Sequence, residues 1–85
     1  MGEELEELGS DIGNEWKILG RRLKVQEKVL EKIEEQYKTL PERAFQMLKH
    51  WTQKRGSSAT YRVLSRALKD EFLERKDLSE KYCYG

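Results

Sequence analysis

The stretch Phe45-Gln46-Met47-Leu48-Lys49-His50-Trp51 decides the fold of this chain, together with the earlier Gly13-Asn14-Glu15-Trp16-Lys17-Ile18-Leu19. Trp51 follows Leu48 by one helical turn, so both side chains face the same side of a helix. Trp16 and Leu19 have the same spacing, after a Gly-Asn pair that fits a helix start. Each tryptophan therefore predicts a helix that packs into a hydrophobic core.

Helical spacing of apolar residues continues along the rest of the chain. In the first helix it is carried by Leu5, Leu8 and Ile12, which recur every three to four residues. Pro41 fits the first turn of a later helix, and Gly56 fits the end of that same helix. A sustained period-two alternation is absent from the sequence, so we expect no sheet.

We predict an all-α fold, a six-helix antiparallel bundle that fills residues 1–85 as one domain. The helices are expected at residues 3–12, 14–23, 26–37, 40–54, 59–71 and 75–82. The expected core contains Trp16, Leu23, Ile33, Leu48, Trp51, Leu64 and Leu68.

Val29 and Met47 lie beside the apolar stripes, and two interpretations stay open for them. They are either partly exposed interface residues or members of a wider core.

Three further residues carry structural expectations. Gly20 lies inside the second helix, where glycine costs up to about 1 kcal/mol relative to alanine. Cys83 is the only cysteine, which excludes an internal disulfide, and we expect it to be inert near a frayed end of the chain. His50 is expected on the surface, because a metal site needs several ligands and Cys83 is the only other candidate.

Composition and motifs argue against catalysis. The sequence has a single His and no Ser-centred elbow, glycine-rich phosphate loop or HExxH pair. Its glutamates lie close to lysines on solvated helices, where no apolar pocket raises a pKa. We therefore expect no enzyme, no cofactor and no metal site. No apolar run reaches the length of a membrane span, so we expect no direct membrane insertion.

Charge is segregated along the chain although the net charge is only +1. Residues 1–15 hold six acids and no base, residues 16–28 hold five bases against one acid, and residues 43–69 hold seven bases and no acid. A near-neutral molecule with patches of both signs is suited to binding a partner, or itself, through complementary faces. The plainer alternative is a solvated surface, which is common for charged helices.

The order of these features along the chain resembles the death domain, and the resemblance covers roughly residues 3 to 82. Residues 21–25 are most similar to the Fas-associated adaptor, and residues 44–48 are similar to receptor tails of the tumour-necrosis-factor type. The resemblance rests on the glycine, tryptophan and leucine steps of residues 12–25, the apolar-acid pattern of residues 30–34, and then Leu48, Trp51, Gly56, Ala59-Thr60, Leu64, Ala67-Leu68 and residues 75–81.

This resemblance implies a single death domain without catalytic activity. Its implied function is the assembly of a cytoplasmic apoptotic or inflammatory signalling complex by homotypic contacts. The implied partners are other death-domain proteins, which include a receptor tail, an adaptor or the chain itself. Homo-oligomers or hetero-oligomers are the expected products.

The resemblance also implies which residues bind the partner. In the family, the second and third helices dock on the first and fourth helices of a neighbour. Arg21 is the foremost candidate, because arginine forms two parallel hydrogen bonds with a carboxylate. For each charge, a role in solubility alone stays open. The full set of candidates is Arg21, Arg22, Lys24, Lys17, Val29, Glu31, Glu34, Glu35, Glu3, Glu7, Asp11 and Met47.

Two other functions remain as alternatives. One is a helical nucleic-acid-binding domain that uses the basic stretch 43–69, whose helix-glycine-turn-helix layout resembles a helix-turn-helix. Two points argue against it: the fourth helix is expected to bury Phe45, Leu48 and Trp51 in the core, and the net charge is near zero. We therefore expect no nucleic acid as partner. The other is a structural bundle without a partner. Steep salt dependence would distinguish a nucleic-acid binder.

Overall fold

The computed structural model describes residues 2–83, which form six α-helices and two short 3-10 turns. No strand occurs among these residues, and the expected all-α class is confirmed. The 3-10 turns are Gly13–Glu15 and Gly56–Ser58. The helices are α1 (Gly2–Ile12), α2 (Trp16–Arg22), α3 (Glu27–Gln36), α4 (Leu40–Arg55), α5 (Tyr61–Lys69) and α6 (Lys76–Tyr82).

The long helix α4 lies at the centre of the bundle and packs against α1, α2 and α3. Its start is fixed by Thr39, whose side-chain oxygen accepts a hydrogen bond from the backbone N–H of Glu42 at 3.3 Å. Pro41 follows in the first turn, where its missing N–H costs nothing. The helix ends at Gly56, whose φ of 55° is a conformation that favours glycine.

The start of α2 differs from the sequence expectation. Asn14 does not cap this helix, because residues 13–15 form a 3-10 turn and no side chain caps α2. The helix ends after Arg22, since Lys24 adopts a left-handed conformation with φ of 68°. The backbone N–H of Val25 then donates to the carbonyl oxygen of Gly20 at 2.9 Å, which satisfies one of the last helical carbonyls.

A turn over residues 70–75 separates α5 from α6. Thr60 starts α5 by accepting a hydrogen bond from the backbone N–H of Val63 at 3.2 Å. After the turn, the backbone N–H of Arg75 donates to the carbonyl oxygen of Leu68 at 2.8 Å, which brings the chain back toward the bundle. Helix α6 then packs against α5 and α1.

The core contains all seven residues that the spacing predicted, from Trp16 to Leu68. Met47 is also fully buried, so the wider-core interpretation is correct and its assignment to the partner-binding residues is wrong. Helical geometry explains this: Met47 lies three residues after Ala44 and four before Trp51, which places all three on one face. Phe45, assigned to that face from the sequence, is only half-buried.

Two other expectations need correction. Cys83 is buried against the core and does not lie at a frayed end. Its backbone N–H donates to the carbonyl oxygen of Ser79 at 2.8 Å, which holds the residue at the end of α6. Burial raises the pKa of the Cys83 thiol. His50 is half-buried, so its ring is not fully on the surface.

Gly20 lies at the closest approach between α2 and its neighbours α3 and α4. A Cβ at this position would lie 2.6 Å from Cδ2 of Leu30 and 3.2 Å from Cγ of Met47. Both of those side chains are fully buried, so neither has open space to move into. A side chain at position 20 would force Leu30 to shift inside the core, so packing favours glycine where helix propensity alone disfavours it.

We expect Gly20→Ala to lower the free energy of unfolding by about 1–3 kcal/mol, because the added methyl overpacks the core. Helix propensity alone predicts the opposite sign, a gain of up to about 1 kcal/mol. Urea denaturation followed by circular dichroism measures the difference. Ser10→Ala, at an exposed position of α1, is the control and should stay within about 0.5 kcal/mol of the parent. A Gly20→Ala chain as stable as the parent would contradict the packing argument.

Candidate functional site

The candidate functional groups in the described part of the chain are charged side chains on the surfaces of separate helices. Across residues 2–83, no three His, Cys, Asp or Glu side chains come together as a metal site. None of the helices in this range combines the length and the apolar character needed to cross a bilayer. The candidate site is therefore a set of charged faces, and its geometry depends on which charges already have partners.

Arg21 is held by Glu27 in a two-pronged ion pair between the end of α2 and the start of α3. The Nε–Oε1 distance is 2.9 Å and the Nη2–Oε2 distance is 3.0 Å. The hydrogen bonds from Arg21 lower the pKa of the Glu27 carboxyl group, and the same bonds raise the pKa of Arg21. Both side chains are exposed, so the pair is open to exchange with a partner's carboxylate.

Lys17 and Glu34 form a second ion pair between α2 and α3, with 2.9 Å between Nζ and Oε1. The hydrogen bond from Lys17 lowers the pKa of Glu34. Two predicted interface charges are thus paired with each other inside one chain. Glu31 and Glu35, on the same helix α3, are exposed and form no ion pair within residues 2–83.

Arg22 and Lys24, at the end of α2, have different surroundings from Arg21. The guanidinium carbon of Arg22 lies 4.9 Å from the ring centroid of Phe72, a cation–π contact. Its Nη1 atom is 3.9 Å from Oδ1 of Asp70. Lys24 is exposed and makes no ion pair in the described range. The predicted basic cluster is therefore spread over two sides of the α2 end.

The acids of α1 fall into two groups. Glu3 and Glu7 are exposed, and neither forms an ion pair with another described residue. Asp11 instead accepts hydrogen bonds from the Tyr82 hydroxyl at 2.6 Å and from Lys81 Nζ at 2.9 Å. Asp11 thus ties α6 to α1, and its carboxylate is already occupied within the chain.

The two apolar candidates, Val29 and Met47, differ in burial. Val29 is half-buried and packs against the core from α3, which leaves part of its side chain accessible. Met47 is wholly inside the core, so it offers no surface to a partner and is removed from the candidate set.

Sequence reasoning missed two residues that the structure brings to these faces. Glu27 follows Arg21 by six residues across the α2–α3 turn, a separation that no helical spacing rule connects. Phe72 is 64% exposed, and the sequence showed only that helical spacing breaks near it. The available signal for Phe72 was its place between Asp70-Glu71 and Glu74, where an aromatic residue has acidic neighbours on both sides.

The Asp11 contacts predict a defined pH dependence. Hydrogen bonds from Tyr82 and then Lys81 lower the pKa of Asp11 in the folded chain. The contribution to stability is therefore present above the unfolded pKa of about 4 and is lost as pH falls through the lower folded pKa. We expect Asp11→Asn to reduce Tm at neutral pH and to flatten the acid limb below about pH 4. Thermal unfolding across a pH series measures both, with Glu7→Gln as control.

If the parent and Asp11→Asn lost thermal stability in parallel as pH falls, Asp11 would not be the responsible acid.

Glutamate substitutions test the separation of Val29 from Met47. Met47→Glu should lower the free energy of unfolding by several kcal/mol, on the order of 3–5, because it buries a carboxylate without a partner. Val29→Glu should cost only about 1 kcal/mol, since its carboxylate can reach water from a half-buried position. Chemical denaturation of both variants gives the values. Equal losses would place the two side chains in the same environment and contradict the structure.

Comparison with known proteins agrees with the fold and the absence of catalytic motifs. The chain matches the family model described as Death domain over residues 2–82. No curated protein and no solved structure gives a significant match. The family match spans nearly the whole sequence and coincides with all six helices. The chain therefore belongs to the death-domain family, whose members are non-catalytic modules that bind one another through homotypic contacts.

Proposed function

We propose that this domain assembles a cytoplasmic apoptotic or inflammatory signalling complex with other death-domain proteins. The observation that carries the proposal is the segregation of charge, with an acidic α1 and a basic end of α2 on one small molecule. The similarity of residues 21–25 to the Fas-associated adaptor, and of residues 44–48 to tumour-necrosis-factor-receptor tails, suggests adaptors or receptor tails as partners.

The acidic half of the proposed contact is the outer face of α1. Glu3, Glu6 and Glu7 are exposed and make no ion pair with any residue from 2 to 83. Their apolar neighbours Leu5 and Leu8 face the core, so the outer face of the helix presents mainly carboxylates to a partner. Such a face attracts a cationic surface and repels a second copy of itself.

The basic half centres on Arg21 and Lys17, which lie against α3, with Arg22 and Lys24 in different surroundings at the same end of α2. Glu27 occupies the Nε and Nη2 atoms of Arg21 and therefore competes with a partner's carboxylate. The competition is weak, because an exposed ion pair contributes little to stability and exchanges readily. Half-buried Val29 and the exposed acids Glu31, Glu34 and Glu35 of α3 extend this face.

A contact of this kind joins α1 of one molecule to α2 and α3 of another. The two surfaces differ, so the contact is heterologous and each added molecule leaves one surface of each sign available. Open-ended or ring-shaped assemblies follow from such contacts, whereas a two-fold dimer would consume both surfaces at once. Oligomers rather than simple pairs are therefore proposed.

The nucleic-acid alternative gains no support from the structure or the comparisons. The first helix of its supposed recognition pair, α4, buries Ala44, Met47, Leu48 and Trp51 and contacts three other helices. A net charge of +1 offers little general attraction to phosphates.

Charge reversal at Arg21 tests the proposed contact. We expect Arg21→Glu to leave the fold intact and to weaken association at least tenfold, since it replaces attraction by repulsion at a hot spot. Analytical ultracentrifugation of the chain, alone and with a death-domain partner, measures association. Glu27→Gln should have the opposite effect and strengthen association, because it frees Arg21 from its internal competitor.

Lys38→Glu is a matched control, because it changes the charge equally at an exposed position beyond the end of α3 that is not among the proposed contact residues. Normal binding by Arg21→Glu, Arg22→Glu and Lys24→Glu together would show that the chosen surface is wrong. If Lys38→Glu lost as much binding as Arg21→Glu, the loss would be caused by the change in net charge and not by the proposed surface.

A further inference from the structure

Two cavities adjoin where the end of α4 meets α5 and the α2–α3 turn. Their volumes are about 360 Å³ and about 170 Å³. Both are lined by Leu23, Lys24, Trp51 and Arg55, so the two cavities meet at these residues. We call these joined cavities the basic groove.

The charge of the basic groove is strongly unbalanced. Asp70 is its one acid, and that carboxylate is 3.9 Å from Arg22. The other groove cations form no ion pair among residues 2–83, unlike Lys17 and Arg21, which acids of α3 already hold. The cations that line the groove are Arg22, Lys24, Lys54, Arg55 and Arg66.

The same groove gathers exposed apolar surface. Of the three large apolar side chains that are exposed in the described range, one lines the groove and a second lies beside it. Val63 is 37% exposed and lines the groove, and Phe72 is 64% exposed and lies against the guanidinium of Arg22. Exposed apolar side chains beside arginines are a combination that concentrates binding energy at protein interfaces.

We propose that the basic groove binds an acidic peptide segment that carries two neighbouring large apolar side chains. Carboxylates of the segment pair with Arg55 and Arg66, and arginine favours this pairing because it can donate two hydrogen bonds to one carboxylate. One apolar side chain packs against Val63 and the other against Phe72. The site extends the function beyond the assembly proposed above, because these four residues do not belong to that contact, although Arg22 and Lys24 take part in both.

The shape of the groove favours a segment of chain over a single small anion. Its cations run from Lys24 at the α2–α3 turn, through Arg55 at the end of α4, to Arg66 on α5. An extended acidic segment meets this whole row, whereas one phosphate meets only part of it. The acidic α1 of a second copy lacks the apolar element, because its leucines Leu5 and Leu8 are buried.

Fluorescence anisotropy tests the proposal with the whole chain and a labelled synthetic peptide. The probe is a run of glutamates and aspartates around a central Phe-Leu pair. A second peptide with the same acids around a Gly-Ser pair isolates the apolar contribution. We expect the Phe-Leu peptide to bind at least tenfold more tightly than the Gly-Ser peptide, since the latter leaves Val63 and Phe72 uncovered.

The matched variants lie on α5 and α4. Arg66→Glu and Arg55→Glu should each weaken the Phe-Leu peptide about tenfold or more, and Phe72→Ala should weaken it severalfold. Arg62→Glu makes the same charge change on α5 outside the groove and should bind like the parent. Arg21→Glu should also leave peptide binding unchanged, which separates this site from the assembly contact. Amide NMR spectra confirm that each variant is folded.

Several results would overturn the proposal. Equal weakening by Arg62→Glu and Arg66→Glu would reduce the effect to diffuse charge, and equal binding of the two peptides would remove the apolar anchor. Another such result is a chain that binds no peptide and instead sediments with phosphatidylserine vesicles. If Arg66→Glu abolished that sedimentation, the groove would be assigned to membranes. Self-association that Phe72→Ala abolishes, again without peptide binding, would make a second copy the occupant.

Discussion

The burial of one face of α4 is the constraint on which the other helices depend. Met47 and Leu48 are fully buried, and Trp51 nearly so, along a helix that touches α1, α2 and α3. At 1.5 Å per residue its 16 residues span about 24 Å. One helix therefore offers a long packing surface to three others, and Gly20 allows α2 and α3 to converge on it.

Much of this arrangement was predictable from the sequence, because it follows from local rules. Spacing identified the buried tryptophans and leucines, and the residue types at Pro41 and Gly56 signalled the two ends of α4. Met47 stayed open between core and interface, although its spacing from Ala44 and Trp51 already favoured the core. Gly20 shows the limit of local rules, since its role depends on Leu30 and Met47 arriving from other helices.

The charged faces were predictable as blocks but not as pairs. The acidic α1 and the basic end of α2 are visible in the sequence, and both are on the surface. Which charges are engaged is a matter of tertiary geometry: Asp11 meets Lys81 seventy positions away, whereas Glu7 on the same helix meets no cation among the described residues. The basic groove was hidden for the same reason, because its cations come from α2, α4 and α5.

The buried position of Cys83 turns the only thiol of the chain into a reporter of local opening. Alkylation requires the thiolate, and burial both shields the sulfur and raises its pKa. Reagent can therefore reach it efficiently only when the end of α6 moves away from the bundle. The rate of labelling would then measure how often α6 separates from the rest, without any engineered probe. A partner that holds α6 against the bundle would slow labelling, and a partner that displaces α6 would accelerate it.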